Sequence, residues 1–165
     1  MTRKPEDPGN KIGVLFLCMG NICRSPLAEG IFLHLARRRG AVDRFRVDSC
    51  GTGGWHAGEP PDPRARAVAK KHGVELPSRA RPLDPARDAA AFDLIIAMDA
   101  SNRENAIAAG VTPDKIRLMR SFDPNAPADA DVPDPYYGGT RGFDDVYTML
   151  ESACRGLLDH LLDGG

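Results

Sequence analysis

The sequence predicts a three-layer α/β fold, a parallel sheet with helices packed on both faces. Three observations carry this. Short apolar runs alternate along the whole chain with apolar residues at helical spacing, the signature of strands joined by crossover helices. The first run, "KIGVLFL" (11–17), is unbroken, as expected of a strand covered on both faces. At 165 residues, 42% hydrophobic and 27% charged, the chain suits one domain able to bury a sizeable core without disulfides or metal.

Each element has its own signal. After the first strand, Leu27, Ala28, Ile31, Phe32, Leu35 and Ala36 recur at helical spacing, with Ser25 and Pro26 as N-cap and first-turn proline and Gly40 as the stop. Arg37 to Arg39 complement the dipole of its last turn. "RFRVDS" (44–49) alternates as a strand does, and Asp62-Pro63 opens a second helix ending near His72-Gly73. "FDLIIAM" (92–98) reads as the third strand. Ser101 with Glu104 reads as the capping box of a third helix, closed by Gly110. "KIRLM" (115–119) is the fourth strand, followed by a Pro- and Asp-rich loop over 122–140. Phe143, Val146, Tyr147, Leu150, Cys154, Leu157, Leu158 and Leu161 then mark one face of a long final helix. Right-handed crossovers make a flavodoxin-like arrangement with strand order 2-1-3-4 the simplest solution. Residues 1–10 are polar, lack the apolar core of a signal peptide and read as a short flexible lead; 11–165 read as one domain.

In such a sheet ligands bind beyond the carboxyl ends of the strands, beside the point where the order reverses. The turn after strand one falls there. It reads Cys18-Met19-Gly20-Asn21-Ile22-Cys23-Arg24-Ser25, a C-x5-R-S turn. Gly20 and Asn21 can take backbone angles that turn several N–H groups inward, and the following helix adds the positive end of its dipole. Arg24 adds a planar fork suited to two phosphate oxygens. With a formal net charge of only −1, nothing global attracts an anion, nucleic acid or a membrane surface, so the positive field must be local. Cys18 sits where that field converges, a setting that favours the thiolate, and Ser25 can donate a hydrogen bond to its sulfur. A thiolate facing bound phosphate is placed for in-line attack on phosphorus.

Such a reaction also needs a proton donor for the leaving oxygen, supplied from another loop on the same sheet edge. Of five Asp-Pro pairs, those at Asp62 and Asp84 look like helix caps. Asp134, in "VPDPYYGG", stands beside Tyr136 and Tyr137 in the long loop past strand four, a setting for protonating an aryl-oxygen leaving group. Trp55, the one tryptophan, follows a glycine-rich turn on the same edge, where an aromatic wall would stack on an aryl ring.

"VLFLCMGNICRSPLAE" with "DPYYG" far downstream resembles the low-molecular-weight protein tyrosine phosphatases, and "VDSCGTGGWHAGEPPDPRA", "FDLIIAMDASN" and "RLMRSFDP" extend the similarity over roughly residues 12 to 160. The resemblance implies a flavodoxin-like fold and a phosphocysteine intermediate, without metal or cofactor. It implies Cys18 as nucleophile, Arg24 as phosphate clamp and Asp134 as acid and later base. Met19, Gly20, Asn21, Ile22, Cys23 and Ser25 would form the substrate cradle. Asn21, Ser25 and Ser49 would hold the loop and thiolate by hydrogen bonds, and Trp55, Tyr136 and Tyr137 would wall the entrance. It further implies a reversible Cys18–Cys23 disulfide that shields the nucleophile from overoxidation. Cys50 and Cys154 read as structural.

Four scattered histidines, His34, His56, His72 and His160, and no paired-Cys spacing give no metal site. The cysteine usage points to a reducing cytoplasm. The expected partner is a phosphotyrosine-containing protein, a tyrosine kinase among the candidates, with phosphate and other oxyanions as inhibitors. Three alternatives stay open. An arsenate reductase of the same fold needs a relay of further cysteines, and residues 79 to 100 contain none. Phosphoarginine phosphatases resemble this chain too, but carry Thr where it has Ile22. A non-catalytic phosphate-binding module would need neither the thiol nor the acid.

Overall fold

A computed structural model describes residues 11–136 and 139–163. The proposed lead, residues 1–10, and Tyr137 lie outside the described residues. Four parallel strands, β1 (Ile12–Cys18), β2 (Phe45–Gly51), β3 (Leu94–Ala97) and β4 (Ile116–Leu118), pair in the order β2-β1-β3-β4. Helices α1 (Arg24–Arg38), α2 (Pro63–Lys71), α3 (Pro85–Ala91), α4 (Ala100–Ala108) and α5 (Gly139–Asp163) complete the described elements with three short 3-10 turns. The predicted flavodoxin-like order is the observed one.

β1 is central, and its alternation divides the interior. Val14, Phe16 and Cys18 face a core shared with α1, α2 and α5, where Phe32 packs 5.8 Å from Phe16 and edge-on at 5.0 Å to Phe45. Leu15 and Leu17 face the opposite core with Ile95, Ala97, Ala106 and Ile116. Both layers are buried, which is why β1 reads as an unbroken apolar run rather than an alternating one. The register sets Cys18, the last residue of β1, opposite Gly51, the last of β2. Among the described residues no helix is long and apolar enough to cross a membrane.

Several local expectations need correcting. α1 begins at Arg24 with Cys23 as N-cap and no side-chain capping bond, so Ser25 is not the cap; its hydroxyl is engaged in the site below. The Ser101–Glu104 capping box is not made either. Asp99 caps α4, its Oδ1 accepting the Asn102 N–H at 2.7 Å, a charged acceptor two residues ahead of the neutral one. Asp62 and Asp84 cap α2 and α3 as read. β3 and β4 are shorter than their apolar runs. Phe92 serves as C-cap of α3, and Asp93 turns its carboxylate to the Gly13 N–H at 2.7 Å. The short helix α3 itself was signalled only by its cap.

Candidate active site

The carboxyl edge of the sheet carries a cavity of about 140 Å³ lined by Cys18, Met19, Gly20, Ile22, Cys23, Arg24, His56, Asp134 and Tyr136. This is small beside the roughly 300–1,000 Å³ of sites that enclose a drug-sized ligand, and admits the end of one side chain.

The loop from Cys18 to Arg24 is tied to the protein through its carbonyls. Those of Cys18, Met19 and Ile22 accept the N–H groups of Thr52, Gly53 and Asp62 at 2.9, 3.0 and 2.8 Å. The N–H groups of residues 19 to 23, by contrast, donate to no carbonyl among the described residues. Carbonyls anchored outward and N–H groups left unpaired beside a helix N-terminus make an anion cradle. The left-handed turn falls on Asn21, at φ 57°, and not on Gly20. Gly20 matters by its size: a Cβ there would lie 3.1 Å from the His56 ring, which closes one side of the cavity. His56 is held by its Nδ1, 2.6 Å from Glu59 Oε2.

Asn21 and Ser25, expected in the substrate cradle, are buried behind it and do not line the cavity. With Ser49 they form a hydrogen-bonded network. Asn21 Oδ1 accepts the Arg81 N–H at 3.0 Å, which turns Nδ2 toward Ser25 Oγ at 2.8 Å and Ser49 Oγ at 3.0 Å. The Ser25 oxygen therefore receives a hydrogen bond from Asn21. Its own proton is left for Cys18 Sγ, 2.9 Å away, the Cys50 carbonyl being farther at 3.4 Å.

Arg24 is almost fully buried, and its Nη1 is held by Asp99 Oδ2 at 2.6 Å and the Val132 carbonyl at 2.9 Å. Its Nη2 lies 3.7 Å from Asp134 Oδ2, so clamp and candidate acid are ion-paired neighbours in the cavity lining. Asp134 is partly exposed, and its Oδ1 accepts the Tyr136 N–H at 3.0 Å. Cys23 also lines the cavity. Burial above all pushes its thiol well above the ordinary range, with Asp62, Cys18 and Asp134 adding to the effect. Both Cys18 and Cys23 are free thiols.

The aromatic wall is only partly assembled. Tyr136 lines the cavity, whereas Trp55 does not: it is 72% exposed, its ring folded so closely over Gly53 that any Cβ there would overlap it. Sequence reasoning missed Glu29, Arg64 and the role of Asp99. Glu29, in α1, is buried and accepts hydrogen bonds from Ser49 at 2.7 Å and Ser78 at 2.6 Å. Burial raises its carboxyl to about 7, against the lowering effect of those two hydroxyls. No spacing rule flags a lone glutamate in a helix, which reads as solvated surface. Asp99 lay within the quoted "AMDASN" but without a signal linking it to Arg24.

Residues 13–163 match the family described as low molecular weight phosphotyrosine protein phosphatase. A low molecular weight protein-tyrosine-phosphatase of Streptomyces coelicolor is 46% identical over 149 residues, covering 88% of this chain and 90% of that one. Among solved structures, a protein tyrosine phosphatase from Entamoeba histolytica superposes with a TM-score of 0.87 at 36% identity, covering 93% of this chain and 99% of that one. A Drosophila arginine phosphatase superposes with a TM-score of 0.80 at 37% identity, over 90% and 96% of the two chains.

Proposed function

The chain belongs to the low molecular weight phosphotyrosine protein phosphatase family, and we propose that it hydrolyses phosphotyrosine in proteins, and small aryl phosphates, through a phosphocysteine on Cys18. One observation carries the reading. The Cys18 sulfur lies 2.9 Å from the Ser25 hydroxyl, in a cavity that Arg24 and Asp134 also line.

The geometry supports the following roles. The unpaired N–H groups of the loop and the Arg24 guanidinium hold the phosphate oxygens. The Cys18 thiolate attacks phosphorus; the S–P bond forms as the ester P–O bond breaks, and the leaving oxygen takes the proton of Asp134. In the second step water attacks phosphorus, Asp134 takes its proton, and the S–P bond breaks to return the thiolate. Ile22 and Tyr136 give the cavity an apolar and an aromatic side, suited to an aryl ring. Cys23, on the same cavity, is the thiol that would condense with an oxidised, sulfenic Cys18, releasing water and forming the protective disulfide.

Hydrolysis of an aryl phosphate in the presence of a chelator tests the reading. Reduced wild type turns over, Cys18→Ser is inactive, and Asp134→Ala is slower by about 10²–10⁴-fold, the ordinary worth of general acid catalysis. Unimpaired turnover by Cys18→Ser would end this mechanism. Phosphoarginine belongs in the same assay, because an arginine phosphatase shares the fold. Phosphotyrosine is expected to have the higher kcat/KM, and the opposite ranking reassigns the substrate.

A further inference from the structure

The two halves of the reaction sit far apart in the chain, Cys18 at the end of β1 and Asp134 in the loop ahead of α5. Something must hold them in register, because an acid displaced by about 1 Å from its target can lose roughly a hundredfold in rate. One side chain bridges them. Arg64, the second residue of α2, forks onto Asp62, with Nε 3.1 Å from Oδ1 and Nη2 3.0 Å from Oδ2. Its remaining Nη1 donates to the Tyr136 carbonyl at 2.9 Å. The guanidinium also lies over two rings, 5.3 Å from the centroid of Tyr136 and 4.7 Å from that of Phe143, which is buried in α5.

Both ends of this bridge reach the chemistry. The Asp62 N–H donates to the Ile22 carbonyl of the phosphate loop at 2.8 Å. On the other side, the Tyr136 N–H donates to Asp134 Oδ1 at 3.0 Å. The connection therefore runs without a gap from Ile22 through Asp62, Arg64 and Tyr136 to the carboxylate of Asp134. We infer that Arg64 is a positioning residue for proton transfer, which together with Asp62 fixes the loop carrying Asp134 to the loop that follows Cys18.

The side chain is suited to this by shape more than by charge. Partly exposed ion pairs contribute little through Coulomb attraction. A planar fork that meets one carboxylate with two bonds, reaches a carbonyl with a third and stacks on two rings leaves the Tyr136 backbone little freedom. A lysine has one nitrogen to divide among these partners. Arg64 does not line the cavity and touches no reacting atom, so its effect passes through Tyr136.

The inference rests on Asp134 being the acid, and leaving-group chemistry separates the two claims. Phenolate departs poorly without a proton, whereas dinitrophenolate leaves without help. kcat/KM is measured with phenyl phosphate and dinitrophenyl phosphate for wild type, Arg64→Met, Arg64→Lys and Asp134→Ala. Arg64→Met is expected to lower the phenyl value by roughly 10–100-fold and the dinitrophenyl value by less than about threefold. Arg64→Lys shows the same selectivity at smaller size, and it decides the matter if the Met variant does not fold. In the Asp134→Ala background, Arg64→Met has nothing left to position, and its leaving-group selectivity disappears. Equal slowing of both substrates by the Arg64 variants would mean general loosening and overturn the inference, as would no slowing at all. If Asp134→Ala itself fails to discriminate between the substrates, the assignment of the acid falls instead.

Discussion

Glu29 is a carboxyl group 2% exposed, facing Ser49 and Ser78 with Asp48 and Arg81 nearby, and burial lifts it from its ordinary 4.5 to about 7. A raised acid favours the folded state only while neutral. The contribution is full below about 4.5 and is lost as pH rises through 7, because the folded chain must then ionise a buried group. Each unit is worth about 1.4 kcal/mol, so the full loss is on the order of 3 kcal/mol, most of it between pH 5 and pH 8. Glu29→Gln keeps an acceptor for Ser49 without the charge. Urea unfolding at pH 5 and pH 8 should therefore show the variant gaining on wild type by on the order of 2–3 kcal/mol between the two. A difference independent of pH would show that Glu29 stays neutral or is solvated. At this scale the sequence is legible only where chemistry repeats a pattern. Cys18, Arg24 and Ser25 could be read from strand, turn and helix. The left-handed angle was legible as a choice between Gly20 and Asn21. Asn21 takes it because its side chain has three partners, Ser25, Ser49 and the Arg81 N–H, that glycine cannot hold.

Among the elements, α4 contributes most to the site through its cap. Asp99 accepts the Asn102 N–H with one oxygen and pairs with Arg24 at 2.6 Å with the other, so the start of one helix orients the clamp at the start of another. The two duties can be separated. Serine is as good an N-cap as aspartate but too short to reach Arg24. Asp99→Ser keeps the cap but leaves the buried Arg24 guanidinium without this carboxylate, so it should lower the melting temperature and weaken competitive inhibition by inorganic phosphate roughly tenfold, the worth of one well-placed charge-assisted hydrogen bond. Asp99→Ala should weaken inhibition equally and be about 1 kcal/mol less stable than Asp99→Ser, because the cap is lost as well. Unchanged phosphate inhibition in Asp99→Ser would remove Asp99 from the site. This double use also explains the misread boundary. Asp99 and Ser101 are both good caps, and the choice between them is made by Arg24 from a distant helix, which no local rule sees. Asp62 and Asp84, each followed by proline with no such competitor, were legible.

Taken as a whole, the molecule keeps its chemistry at one edge of the sheet and packs its longest described helix, α5, against α1, α2 and the turn after β4. Strand order and the site's edge follow from alternation and crossover handedness, so both were legible. The long-range fit of α5 was not. Gly156 lies in the middle of its apolar stretch and reads as a tolerated defect, since glycine in a helix costs about 1 kcal/mol relative to alanine. Its reason lies elsewhere in the chain: a Cβ at this position would overlap the Phe122 carbonyl, at the end of the turn after β4. Backbone cannot rotate away as a side chain can, so α5 would have to lift from that turn. The sign of the substitution therefore reverses. Overpacking of this kind costs typically 1–3 kcal/mol, more than the helix-propensity gain at its upper end. For a chain of this size each kcal/mol is worth about 2–4 °C. Gly156→Ala is expected to lower the melting temperature by roughly 2–8 °C. The lesion lies thirteen residues, about 20 Å of helix, from Phe143 beneath Arg64, so kcat/KM at 25 °C should stay within about twofold of wild type. A thermal melt and an aryl phosphate assay on the same sample read both. A melting temperature that rises would show that the turn yields to the helix. Activity lost in step with stability would show that α5 transmits the strain along its length to the acid loop.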